Sequence, residues 1–397
     1  MEQSRIQQTV FSILKAGLWG QEAYPFAVPE DTDWEAVRQE LRHQAVSTVS
    51  VDVLVKADPR NRAEYLQTAM KNVACYRKLA VVQQRLMALL QAEGIGCVVL
   101  KGSAAACYYP RPEYRAMGDI DLLVKPEDYH RAKSVLLGVC RDLEKEDDRH
   151  AELELDQVIL ELHRTFAVLR DKDTGNQLDA RLWAALDHVQ EQTYQGLRYN
   201  QLPWLENGLV LLTHIHQHLF EGLGFRQIID WMMFVHKELD DERYAGEFAP
   251  VARQLGLETL AVTVTRMCQM YLGLGAHITW CKDADEALCC QLMELVWEKG
   301  NFGRKQGTDN AKSIRIMNML RNTSGVFRLL QTYGCNNWEA LKKHPWLKPF
   351  AWLYQICRYI RAGFGKEKPL RSLIENVRKG NRQNDLLTQL GVSREYQ

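Results

Sequence analysis

The sequence predicts an α+β protein: strands and short helices in the middle of the chain, with helical segments on both sides. Three observations predict it. Apolar residues recur at helical spacing over about 63–92, at Leu66, Met70, Val73, Tyr76, Leu79, Leu86 and Leu89. The pattern then changes to short apolar or alternating runs at 97–100, 119–124, 150–155 and 158–163. From about 178 onward apolar residues again recur mostly at helical spacing.

Each element has a local reason. Residues 5–16 and 34–56 read as helical, and Asp31-Thr32-Asp33 supplies a cap before Trp34. Asp58-Pro59 and Glu93-Gly94 punctuate the ends of the long helix. The apolar strand 97–100 runs into Gly102-Ser103, where a small-residue helix starts over 103–109. The second strand is 119–124, and Pro126-Glu127-Asp128 opens a helix reaching about 137. Runs 150–155 and 158–163 form a hairpin around Asp156-Gln157. Later helical segments are 208–220, 225–237, 260–272, 287–299 and 350–361. The expected division is a helical segment 1–93, a core 94–177, and a helical C-terminal domain 178–397 with a basic aromatic tail.

The 397 residues allow two domains or more, and 46% apolar with 25% charged residues is ordinary for a soluble globular protein. No run of eighteen apolar residues occurs, so no transmembrane helix is expected. The N-terminus lacks a basic region and a cleavage site and reads as a helix, not a signal peptide. Ten scattered cysteines without C-x-x-C spacing point to reduced thiols in a cytoplasm and away from a zinc enzyme. Fifty basic and fifty acidic residues balance, which gives no global attraction to nucleic acid. The tail 341–382 is an exception, with eleven Lys or Arg, two acids and interleaved aromatics. It suits RNA or a membrane surface, but a packed helix with a solvated basic face is the favoured reading.

The chemistry concentrates in residues 97–124. Residues two apart on a strand share a face, so Asp119 and Asp121 project together from a strand whose Ile120, Leu122 and Val124 favour burial. Such a pair repels itself and loses hydration unless a cation lies between the carboxylates. Mg²⁺ takes carboxylates together with substrate phosphates. Gly102 permits close backbone approach, and Ser103 adds a hydroxyl at a helix start, which suits a phosphate chain. Lys101 and Arg115 are nearby cations that can neutralise it. His214, His216 and His218 form a run whose first and last members share a helical face; hydrogen-bonded helix histidines are preferred there over a metal pair. No Walker loop, dinucleotide-binding glycine motif, hydrolase nucleophile elbow or kinase loop is present.

The segments LKGSAA, YRAMGDIDLLV and ILELH resemble the nucleotidyltransferase superfamily with the DNA polymerase β fold. Within it they look like a family of uncharacterised bacterial nucleotidyltransferases. The motif-bearing resemblance covers roughly 64–165 and extends loosely to about 235. Fifteen residues separate Ser103 from Asp119, more than is usual, and the extra length falls in a loop around Pro110-Arg111-Pro112. The resemblance implies a small mixed sheet with helices and a third carboxylate, Glu161, completing the metal set of Asp119 and Asp121 or serving as base. It implies Mg²⁺ (or Mn²⁺) and an NTP such as ATP, held at its triphosphate by Gly102, Ser103, Lys101 and Arg115. His163 is expected to touch substrate or support a ligand carboxylate. His218, Arg226 and Asp230 match a His-containing helix followed by Arg and Asp; Arg226 and Asp230 read first as an ion pair, and His218 and Arg226 as further candidate substrate contacts. The implied reaction moves a nucleoside monophosphate to an unidentified acceptor, a small molecule or protein hydroxyl being favoured. The alternative is a non-catalytic nucleotide-binding protein, or one that uses the same fold to meet RNA or a membrane.

Overall fold

The computed structural model describes residues 4–303 apart from 28 and 30, residue 305, and then 331, 334, 335, 338, 340–364 and 382–392. The chain divides into two compact units, Met1–Phe302 with Leu390–Gln397, and Gly303–Gln389.

The first unit opens with three helices. α1 (Arg5–Trp19) begins in a capping box between Ser4 and Gln7, and α2 (Trp34–His43) is capped by Asp33 through the N–H of Ala36. α3 (Val51–Ala57) is separate from α2, because Ala45 takes a left-handed φ of 56° and ends the single helical stretch expected over 34–56. α4 (Arg62–Ala92) then runs 31 residues and stops before Gly94, whose φ is 67°.

A seven-stranded mixed sheet follows. Its strands are β1 (Cys97–Val99), β2 (Asp119–Val124), β3 (Arg141–Glu146), β4 (His150–Leu155), β5 (Val158–His163), β6 (Gln190–Tyr194) and β7 (Leu197–Gln201), in the spatial order β3-β4-β5-β2-β1-β7-β6. α5 (Ser103–Ala106) follows β1, α6 (Tyr129–Leu137) follows β2, and α7 (Lys172–Ala185) follows β5. β1 is antiparallel to β2, and β2 is parallel to β5. Alternation sends Ile120, Leu122, Val124, Leu160 and Leu162 into one core, where they pack with Leu79, Leu86 and Leu90 of α4 and Tyr129, Ala132 and Leu136 of α6. The opposite face of β2 and β5 is therefore left to Asp119, Asp121, Glu161 and His163.

The β6–β7 hairpin is an exception within the stretch beyond 178, which is otherwise mostly helical as expected. Its strands QEQTY and LRYNQ are polar, and it joins the sheet only where Val99 of β1 pairs with Gln201. Its turn, Gln195-Gly196, has φ of 48° and 81°, the double positive φ of a tight hairpin. Helices return as α8 (Trp204–Glu221), α9 (Phe225–Glu238), α10 (Asp241–Arg243), α11 (Ala249–Gln254), α12 (Glu258–Leu272) and α13 (Glu286–Lys299).

The described part of the second unit includes helices Ala340–Lys343 and Ala351–Phe364, a 3₁₀ segment Pro345–Phe350 and a helix over 382–389. The rings of Trp338 and Tyr354 stack 4.8 Å apart. Residues 365–381 of the basic tail lie outside the described residues. Among the described residues no helix is long and apolar enough to cross a membrane.

Candidate active site

Three strand segments meet at one point of the sheet. β1 ends where the N–H of Leu100 donates to the Asp121 carbonyl at 3.1 Å, which brings Lys101 and Gly102 beside the start of β2. The chain turns into α5 at Gly102 with φ 54° and ψ −110°, a conformation suited to glycine. Among the described residues, nothing accepts a hydrogen bond from the N–H groups of Gly102 and Ser103.

Parallel pairing sets Asp121 opposite Glu161, and Leu123 opposite His163. The carboxylates and the imidazole therefore share a face by backbone register alone. His163 Nε2 lies 3.1 Å from Asp121 Oδ1 and 3.2 Å from Glu161 Oε2. One donor atom from each of the three falls within a 4.8 Å span. Lys101 Nζ approaches Asp121 Oδ1 to 2.8 Å. Asp119, one pleat away and opposite Ile159, stands outside this trio and forms no ion pair among the described residues.

Charge is concentrated under cover. Burial works to raise the Asp121 carboxyl, but Lys101 and His163 outweigh it and hold it well below the usual carboxylate range. Asp119 is pushed up, first by burial and then by repulsion from Asp121. Burial opposes the charged forms of Lys101 and His163, yet the surrounding carboxylates raise both.

Two predicted triphosphate groups are committed elsewhere. The Ser103 hydroxyl donates to Gln83 Oε1 of α4 at 2.8 Å, buried, so it faces the helix layer. Arg115 is buried against Asp230 of α9, with Nη2 to Oδ2 at 2.6 Å. The expected Arg226–Asp230 pair therefore gives way to a tertiary one, because Arg115 reaches across from the loop before β2 and presents a planar fork to the carboxylate. The Tyr109 hydroxyl donates to the same carboxylate at 2.7 Å.

Arg226 is left with a weak bond from Nη1 to the Ala116 carbonyl at 3.4 Å and a position over the Phe302 ring, 5.6 Å from its centroid. Its Nε is buried without a hydrogen-bond partner among the described residues. Burial, then Arg115, lowers its pKa. His214 and His218 lie one turn apart on α8. Their Nε2 atoms are 2.8 Å apart, so one N–H donates to the other's lone pair. Burial, then the nearby Lys101 and Arg226, pushes His218 down to about 3 and keeps it neutral. Sequence reasoning missed Gln83 and Tyr109, which no local pattern marks, and weighed His163 as a substrate contact or a support for a ligand carboxylate, not as a ligand itself.

The donor set fits a divalent cation. Two carboxylates face each other across parallel strands with an imidazole between them, and side-chain cations hold Asp121 from two sides. A mixed α/β fold with a carboxylate-rich, candidate metal-binding centre on its sheet is the class of protein that the geometry defines. Comparison with protein families goes further: the chain belongs to the family described as uncharacterised nucleotidyltransferase, and the match spans residues 30–273. Among curated proteins, none matches the chain.

Proposed function

We propose that the protein is a metal-dependent nucleotidyltransferase that moves a nucleoside monophosphate from an NTP to an acceptor hydroxyl. The observation that carries this reading is the in-register pairing of Asp121 with Glu161 beside the Lys101-Gly102 turn. In this reading 94–177 is a polymerase β-like catalytic core, with the β6–β7 hairpin added at its sheet edge. Asp119, Asp121 and Glu161 hold Mg²⁺ or Mn²⁺. The chemistry such an ion supplies is neutralisation of charge on the α-phosphate and on the departing pyrophosphate.

The chain's own groups do the rest. Gly102 and Ser103 offer backbone N–H groups to the triphosphate, while Lys101 and Arg226 supply positive charge. The acceptor oxygen bonds to the α-phosphorus as the bond to pyrophosphate breaks, and in this reading Glu161 takes the acceptor proton. A small molecule or a protein side chain is the favoured acceptor, since a net charge of zero gives no global attraction to nucleic acid.

Calorimetric titration of ATP, GTP, CTP and UTP with Mg²⁺ tests this reading on the wild type and on Asp119→Asn/Asp121→Asn. Metal-dependent NTP binding that the double variant loses is the expected result. Unchanged binding in a folded double variant overturns the site assignment. Binding without transfer of an α-³²P label to any acceptor in a cell extract favours a nucleotide-binding protein over an enzyme.

A further inference from the structure

We propose that His163 ligates the metal through Nε2, completing an Asp121–Glu161–His163 donor set that selects Mn²⁺ over Mg²⁺. The inference rests on the reading of this site as a metal centre and specifies which ion it takes.

Geometry supports it. His163 Nε2 stands 3.1 and 3.2 Å from one oxygen of each carboxylate, so all three donors converge on one small volume. The ring is held there. It is 6% exposed, sits 5.0 Å from the His150 ring, and meets the edge of Phe166 at 6.3 Å. Its position on β5, two residues after Glu161, is fixed by the same ladder that fixes Asp121. Nδ1 is buried and has no hydrogen-bond partner among the described residues. Without a metal, Nε2 donates to both carboxylates, and an ion at the point where the three donors meet takes the place of that proton.

The ligand type decides the ion. Mg²⁺ is hard, prefers oxygen and gives up its water reluctantly, so an imidazole adds little to its binding. Mn²⁺ accepts carboxylates and also gains from a nitrogen donor, and it lies above Mg²⁺ in affinity for mixed nitrogen and oxygen sites. A site built from carboxylates alone lacks this discrimination. The alternative role for His163 is that of a hydrogen-bond donor that only aligns Asp121 and Glu161.

Electron paramagnetic resonance on the full chain separates these roles without an activity assay. Mn²⁺ binding is counted by loss of the free-ion signal, Mg²⁺ binding by competition, and nitrogen coordination by pulsed detection of nitrogen-14 coupling to the bound Mn²⁺. The wild type, His163→Gln and, as a neighbouring-imidazole control, His150→Gln are compared. The expected result is nitrogen-14 coupling in the wild type and His150→Gln that vanishes in His163→Gln. Mn²⁺ affinity in His163→Gln should fall by roughly 10- to 100-fold while Mg²⁺ affinity stays within about threefold. Coupling that is absent in the wild type, or that survives in His163→Gln, overturns the proposal, as does an equal loss of both ions. If His163→Gln does not fold, the wild-type coupling decides alone. Mn²⁺ binding that Asp121→Asn leaves untouched would instead overturn the metal-site reading itself.

Discussion

The guanidinium of Arg115 grips the carboxylate of Asp230 through two parallel hydrogen bonds, Nε to Oδ1 at 2.7 Å and Nη2 to Oδ2 at 2.6 Å, with both side chains almost wholly buried. The pair ties the loop before β2 to α9, and the Tyr109 hydroxyl and the bond from Arg226 to the Ala116 carbonyl reinforce it. Removing one partner strands a buried charge, which typically costs about 3–5 kcal/mol, whereas replacing both with apolar groups is often close to neutral. Asp230→Asn should therefore lose about that much stability in urea unfolding, and Arg115→Met/Asp230→Leu should recover most of it. A single variant that unfolds like the wild type would show that the pair contributes little.

Ser103 gives a sharper division between fold and substrate. Its hydroxyl is spent on Gln83, so Ser103→Ala leaves a buried acceptor unpaired at a cost of roughly 1–3 kcal/mol. NTP affinity should stay within about threefold, because only the backbone N–H of this residue faces the proposed phosphate site. Thermal melts and calorimetry on the same preparation check both halves. A tenfold loss of NTP affinity without a loss of stability would return the hydroxyl to the substrate.

Lys299, the last residue of α13, is 3% exposed, and its ammonium group has no hydrogen-bond partner among the described residues. Burial lowers its pKa from 10.5 to about 8, with the charge of Glu298 opposing. Below pH 8 the folded chain carries the full cost of a buried ammonium. Between pH 8 and 10.5 the unfolded chain binds more protons than the folded one, so stability rises with pH, by about 3 kcal/mol at most. Lys299→Met should gain a similar amount at pH 7 and flatten the profile. Urea midpoints from pH 7 to 10 measure it, and a wild-type profile that does not rise over this window would exclude the buried, depressed lysine.

Much of the site was legible because strand alternation is a local signal. The run DIDLLV gave β2 with both its bounds, and the alternation of Glu152, Glu154 and Glu161 with leucines gave β4 and β5 around a turn at Asp156-Gln157. The β6–β7 hairpin escaped because its strands are polar edge strands with little apolar alternation. Thr193, Tyr194 and Tyr199 around Gln195-Gly196 were the available signal. The partner of Asp230 was not legible at all. Arg226 lies one helical turn away, but the residue that claims the carboxylate is 115 positions distant in the chain. Local spacing cannot rank a neighbour against a side chain delivered by the tertiary fold.

The pairing of β2 with β5 also bears on how such a chain can diverge. A deletion of one residue within β5 would exchange the faces of the strand, sending Glu161 and His163 into the apolar layer and Leu160 and Leu162 out of it. On the excursion that joins the two strands, β4 obeys the same parity, because Ala151, Leu153 and Leu155 enter that core, but the turns between α6, β3 and β4 do not. Descendants of this sequence can therefore lengthen or shorten that excursion and reshape whatever docks beside the carboxylates, while inherited insertions within the two strands themselves would be eliminated.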